Sequence, residues 1–212
     1  MRVVLIRHGQ TAWNQKNVAI GQTDVDLNED GLRQLAYLEQ RFRGIKFSKI
    51  YCSDLKRCLL TGEAVSRATG VPLEIRTEVR ERSFGDWEGR DYAEVSAELL
   101  RMSREQGVPL YDVRPPNGES HRDIWNRVRP VVDPLFTAEE DVCIVTHGGT
   151  SRVLLSQIIC ANLDTTFCFK FDNTAVTQLD RRVDGAFLVT LYNDTSHLAA
   201  DLVTHEPGHV AR

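Results

Sequence analysis

The chain has 212 residues, of which 42% are apolar and 26% charged; this is ordinary globular usage and excludes a disordered, collagen-like, coiled-coil or small disulfide-bonded protein. A chain of this length buries roughly 70% of the surface its unfolded form exposes, so its core needs neither metal nor crosslink. The net charge of −4 gives no global field to attract nucleic acid or an anionic membrane, and an anionic substrate would need a local basic pocket.

Residues 2–6 are apolar from Val3 onward without alternation, which predicts a strand covered on both faces, ended by the polar turn Arg7-His8-Gly9. Asn28 is the expected N-cap of a helix with Glu29 and Asp30 in its first turn, running to Gly44. Ile50–Cys52 reads as a short strand, and Ser53 or Asp54 as the cap of a helix that stops at Gly70. Residues 72–75 make another short strand. Asp91-Tyr-Ala-Glu94 carries the capping-box pattern of a helix ending near Gln106. The proline-rich stretch from Gly107 to Gly118 is a loop, and Glu119–Leu135 has helical spacing with a kink expected at Pro130.

Val142–Thr146 is a second fully buried strand. It ends in His147-Gly148-Gly149, with a helix from about Thr150. Strands near 175–179 and 187–192 flank a turn at Arg181–Gly185, and the stretch from His197 has no readable pattern. Strands alternating with helices predict an α/β fold, a three-layer sandwich on a mostly parallel sheet, with the ligand site at the carboxyl ends of the strands.

Five cysteines without CxxC spacing read as small buried hydrophobes in a reducing compartment. The N-terminal apolar run, Val3–Ile6, is too short for a signal peptide, and no stretch approaches a membrane span. The expectation is a cytoplasmic protein.

Two histidines, His8 and His147, each follow a buried strand and each precede a glycine that lets a ligand approach the backbone. A parallel sheet brings them to one edge together with Arg7. Arg57, near the start of the helix after the Ile50–Cys52 strand, adds a bidentate fork to the amides of a helix N-terminus. Arg7, Arg57 and two histidines around one point make an anion site, and phosphate fits it. Glu81 lies in a polar stretch that also holds Phe84 and Trp87. A carboxyl among apolar surfaces near phosphate would be held protonated, as a general acid needs; an exposed loop glutamate is the alternative.

Arg7-His-Gly-Gln-Thr-Ala-Trp-Asn14 with Gly21-Gln-Thr-Asp24, then Ser53-Asp-Leu-Lys-Arg57 with Thr61, Arg80-Glu81 with Gly85 and Glu88-Gly89, Asn117-Gly-Glu-Ser120 and Thr146-His-Gly148 follow one another along the chain. In that order they resemble the blocks of the histidine phosphatase superfamily, the phosphoglycerate mutase-like proteins. The resemblance spans residues 2 to about 155. It implies a phosphoglycerate mutase-like fold, one domain over residues 1–212 with a cap-like insertion at about 85–118, and metal-independent phosphomonoester hydrolysis without a cofactor.

By that resemblance His8 is the nucleophile that forms a phosphohistidine and Glu81 the proton donor. Arg7, Arg57, His147, Asn14 and the Gly148 amide hold the phosphoryl oxygens, and Gln22 and Thr23 face the substrate. The implied partner is a small phosphorylated metabolite, with no nucleic acid and no membrane; a homodimer is compatible with the sequence.

Mutases that resemble this chain carry a lysine and paired arginines between the Glu81 and Asn117 blocks. Residues 90–116 contain only Arg90, Arg101, Arg104 and Arg114, which favours a phosphatase, of a branch resembling fructose-2,6-bisphosphatase-like and α-ribazole phosphatase-like proteins. A cofactor-dependent mutase and a non-catalytic phosphate-binding member of the fold are the alternatives. Other phosphatase chemistries fit less well. Asp24-Val-Asp26 does not follow a buried strand, Cys52 and Arg57 are one residue too close for a cysteine phosphatase loop, and no HxH or HExxH cluster suits a metal.

Overall fold

The computed structural model describes residues 1–204; residues 205–212, the end of the expected domain and of the patternless tail, lie outside the described residues. Six strands form one sheet: β1 (Arg2–Arg7), β2 (Lys49–Cys52), β3 (Leu73–Ile75), β4 (Val142–Thr146), β5 (Val176–Arg181) and β6 (Phe187–Asp194), in the order β3-β2-β4-β1-β5-β6. The first four strands in that order run parallel, while β5 and β6 are antiparallel to their neighbours.

The unalternating apolar runs have the reason expected, because both faces of β1 and β4 are covered. Val3 and Leu5 point to one side with Val142 and Ile144, and Val4 and Ile6 to the other with Cys143 and Val145. Helices α2 (Glu29–Phe42) and α3 (Lys56–Thr69) cover the second side through Leu38, Phe42 and Val65. The first is covered by α5 (His121–Arg127), α6 (Arg129–Val132) and α7 (Gly148–Ile158) through Ile124, Val131 and Leu154. Along the chain, α1 (Ala12–Gln15) follows β1 and α4 (Tyr92–Gln106) follows the Glu81 segment. A separate apolar cluster of Phe84, Trp87, Val95, Leu99 and Val113 packs residues 84–113 around α4.

Several local expectations are corrected. Neither Ser53 nor Asp54 caps α3: its N-cap is Leu55, without a side-chain bond, because Asp54 pairs with Arg80 and Ser53 faces His147. The helix expected from Glu119 to Leu135 begins at His121 behind a Ser120 capping box and is not one helix. Pro130 cannot donate to the Asn126 carbonyl, so the ladder breaks at Val128, and Pro134 turns the end into a 3-10 turn over Asp133–Phe136. Asp91 caps α4, but without the reciprocal Glu94 bond of a full capping box. Cys52, Cys58 and Cys143 are buried, whereas Cys160 and Cys168 are exposed; all five are free thiols.

Candidate active site

The register of β1 against β4 pairs Arg7 with Thr146, so the next residues, His8 and His147, leave the sheet side by side. Their rings meet edge to face with centroids 5.2 Å apart. β2 pairs Cys52 with Val145 on the other side of β4, which brings Ser53 and the start of α3 to the same edge. Strand ends are natural places for such groups, because the last backbone groups turn outward while the sheet fixes their position.

His8 is buried, and its Nδ1 lies 2.7 Å from the Gly9 carbonyl oxygen. A carbonyl can only accept, so Nδ1 carries the proton and the neutral ring keeps its lone pair on Nε2. Burial, followed by the charges of Arg57 and Arg7, holds the His8 pKa well below the ordinary histidine value. The ring is therefore a free base at neutral pH. Behind it, the Gly9 amide donates to Thr61 Oγ1 and the His8 carbonyl accepts from Asn173 Nδ2 at 2.9 Å.

His147 is wholly buried at the N-cap of α7. Its Nε2 is 2.9 Å from Ser53 Oγ, and burial with the Arg57 charge keeps it neutral as well. Arg57, also without exposure, donates to the carbonyls of Thr23 and Gly21 at 2.8 and 2.7 Å. Those bonds fix its guanidinium, whose Nε has no partner. Arg7 donates to the Phe171 carbonyl at 2.6 Å. Its guanidinium lies against Gly148, where an added Cβ would stand 3.4 Å from Arg7 Cζ.

Glu81 is placed differently from the expectation of an apolar setting. Its carboxyl accepts from the amides of Gly149 and Thr150 at 3.0 and 3.1 Å and from Arg82 N at 2.9 Å. Phe84 and Trp87 belong instead to the cluster around α4. The first turn of α7 therefore orients the carboxyl with groups that no helix can satisfy internally.

An open cleft of about 710 Å³, solvent at its mouth included, is lined by Arg7, His8, Asn14, Arg57, Glu81 and Gly148. Asn14 Oδ1 accepts from the Thr11 amide and hydroxyl, which leaves its Nδ2 edge as the donor. His147, Gln22 and Thr23 do not line this cleft. Gln22 donates to the Glu81 carbonyl, and the Thr23 amide and hydroxyl both bind Glu88. Sequence reasoning missed Asn173, Ser53, His121 and Arg152. Only Asn173 carried a local signal, an asparagine in the turn before a buried strand. Among the described residues no group of three His, Cys, Asp or Glu side chains is arranged to hold a metal, and no helix is long and apolar enough to cross a membrane.

Residues 3–195 match the family model of the histidine phosphatase superfamily, branch 1. The chain belongs to that superfamily. The chain is 32% identical over 203 residues to the phosphoglycerate mutase-like protein 4 of Arabidopsis thaliana, covering 92% of this chain and 86% of that protein. Among solved structures it is similar to a mycobacterial glucosyl-3-phosphoglycerate phosphatase, with a TM-score of 0.78 at 26% identity over 92% of this chain and 99% of that one. It is also similar to the α-ribazole phosphatase of Shigella flexneri, with a TM-score of 0.79 at 25% identity, covering 92% and 96% of the two chains. The sheet order and the helices on both faces are thus those of a histidine phosphatase.

Proposed function

We propose that this member of the superfamily hydrolyses small phosphomonoesters through a phosphohistidine on His8, without a metal. The observation that carries the reading is the His8 ring itself: its Nδ1–H is fixed on the Gly9 carbonyl, so Nε2 presents a lone pair at a cleft wall shared with Arg7, Arg57 and Gly148. In the first step Nε2 attacks phosphorus and the bond to the alcohol oxygen breaks. Protonated Glu81 gives its proton to that oxygen, while Arg7, Arg57, Asn14 and the Gly148 amide hold the three phosphoryl oxygens. In the second step Glu81, now a carboxylate, takes a proton from water whose oxygen attacks the same phosphorus. The P–N bond breaks, and phosphate, neutral His8 and protonated Glu81 result.

His147 supports this site from behind, through its contact with the His8 ring and its bond to Ser53. Gln22 and Thr23 shape the wall through Glu81 and Glu88. The relatives named for glucosyl-3-phosphoglycerate and α-ribazole phosphate hydrolysis support a small phosphorylated metabolite as substrate. Phosphatase is favoured over mutase because residues 90–116 hold no lysine and no adjacent arginines, and three of their four arginines are engaged elsewhere: Arg101 with Glu98 and Glu105, Arg114 with Asp123, and Arg90 with Glu94. The free thiols suit a reducing cytoplasm.

The test is an acid-labile label. Protein quenched during turnover of a ³²P-labelled ester should carry label that survives base, is lost in acid and maps to His8, and turnover should persist in excess EDTA. Label on another residue, or activity lost to EDTA and restored by a divalent ion, overturns the mechanism.

A further inference from the structure

The segment that carries Glu81 has little secondary structure of its own. Between β3 and α4 the chain makes only short 3-10 turns, at Thr77–Val79 and Gly85–Trp87, so the backbone around Glu81 depends on partners from elsewhere. Side chains supply them for four carbonyls in succession. Thr146 Oγ1 donates to the Val79 carbonyl and Thr150 Oγ1 to that of Arg80, both at 2.6 Å. Arg127, the last residue of α5, reaches the rest: Nη1 donates to the carbonyls of Glu78 and Arg80 at 2.6 and 3.1 Å, and Nη2 to that of Glu81 at 3.3 Å.

The Arg127 guanidinium is itself fixed. Nε and Nη2 form a fork on the two carboxylate oxygens of Glu119 at 2.9 and 3.1 Å, the planar bidentate match that only arginine makes. Glu119 Oε2 also accepts from the Ser83 amide at 3.0 Å. The two charges therefore bracket Glu81, with Arg127 on the carbonyls up to it and Glu119 on the amide two residues beyond. Neither side chain lines the cleft. What they set is the place of the Glu81 backbone, and a carboxyl must come within about 2.6–3.2 Å of the oxygen it protonates.

Resting on the phosphomonoesterase reading above, we propose that Arg127 and Glu119 are positioning residues for proton transfer: the pair fixes the backbone from which Glu81 reaches the ester oxygen, without touching the substrate. A purely structural pair that joins α5 to its neighbours would serve every substrate alike. A pair that acts through Glu81 matters only where the leaving alkoxide needs a proton.

The test compares glycerol 3-phosphate, whose leaving group needs protonation, with p-nitrophenyl phosphate, whose leaving group does not, in single-turnover phosphorylation of His8. Arg127→Met should slow the alkyl ester by about tenfold or more and the aryl ester by less than about threefold, with the loss in kcat rather than KM. Arg127→Lys should recover part of the loss, because an ammonium still faces Glu119 but cannot span three carbonyls. Placed in the Glu81→Gln protein, Arg127→Met should slow the alkyl ester by less than about a further twofold, since the proton it positions is already gone. Equal losses on the two esters, or full additivity with Glu81→Gln, overturn the proposal. Where Arg127→Met fails to fold, Glu119→Gln keeps the shape of the fork and should give the same selective loss. Equal losses with His8 still labelled sink the positioning role alone, whereas a wild type with neither turnover nor label sinks the phosphatase reading beneath it as well.

Discussion

At the scale of single residues, the site works by denying each side chain its alternatives. His8 cannot present Nδ1 because Gly9 holds that proton, and it cannot readily become imidazolium because burial and two arginines oppose the charge. Its nucleophilic form should therefore persist below the ordinary histidine range, and the acid limb of the kcat profile assigned to His8 should lie well below that range too. A limb near 6.5 that disappears in a His8 variant would contradict this. His8→Ala should lower kcat on the order of 10³-fold or more, since the remaining cations bind phosphate but cannot attack it. Glu81→Gln separates proton donation from most of the positioning, because its one carboxamide oxygen can still accept from the Thr150 and Arg82 amides, while the group has no acidic proton to give. It should slow alkyl phosphates by roughly 10² to 10⁴ while p-nitrophenyl phosphate, with its good leaving group, loses much less in single-turnover phosphorylation of His8. Equal losses on both would leave Glu81 only a positioning role.

At the scale of elements, the start of α7 serves several neighbours at once. Its Gly148 admits the Arg7 guanidinium, its Gly149 admits the Glu81 carboxyl, and the next amides hold that carboxyl. A Cβ on Gly149 would fall 2.7 Å from Glu81 Oε1, the movable end of a side chain. Gly149→Ala should therefore fold, helped by alanine's better helix propensity of about 1 kcal/mol. Its kcat on alkyl phosphates should still drop by about tenfold or more as Glu81 is pushed aside; unchanged kcat with unchanged stability would show that the carboxyl's place is not critical.

Gly31 is the opposite case. A Cβ there would stand 2.1 Å from the Gln10 carbonyl oxygen, a backbone atom that cannot swing away. Gly31→Ala should cost more than about 2 kcal/mol in urea unfolding, because it separates α2 from the loop carrying His8. A midpoint equal to wild type would refute that packing.

For the whole molecule, the buried histidines set the response to acid. His8, His121 and His147 are all held neutral by burial, and burial pushes His197 down to about 4. Below pH 6.5 the unfolded chain takes up protons that these folded sites refuse, so stability is full above that pH and falls as the pH drops through the unfolded value. Each such proton is worth about 1.4 kcal/mol per pH unit, and four of them make the decline steep between pH 6 and 5. Thermal melts across pH 7.5 to 5 should show it, and His121→Leu should make it shallower by one proton. A melting temperature flat over that range would mean that the histidines are charged or solvated in the folded protein.

Much of this molecule was legible in its sequence, for reasons of periodicity. Unbroken apolar runs at 3–6 and 142–145 require a sheet covered on both faces, and the polar residues that follow such a run have to lie at the strand's end. That places His8 and His147 without coordinates. Glycine at 70 and asparagine at 28 fix helix ends through backbone geometry and capping, and both stand where expected.

The tertiary structure alone decided what depends on contacts between distant segments. The setting of Glu81 is an example, because two of the three amides that hold it lie 68 and 69 residues away and no local pattern distinguishes a helix-capping carboxyl from one in an apolar pocket. The break at Val128 and the clamp of Arg127 are further cases. A guanidinium bonded to three carbonyls looks in sequence like any arginine on a helix, since its character comes from the partners that surrounding segments supply. Periodicity reports which way a side chain faces; what it meets there is a property of the packed chain.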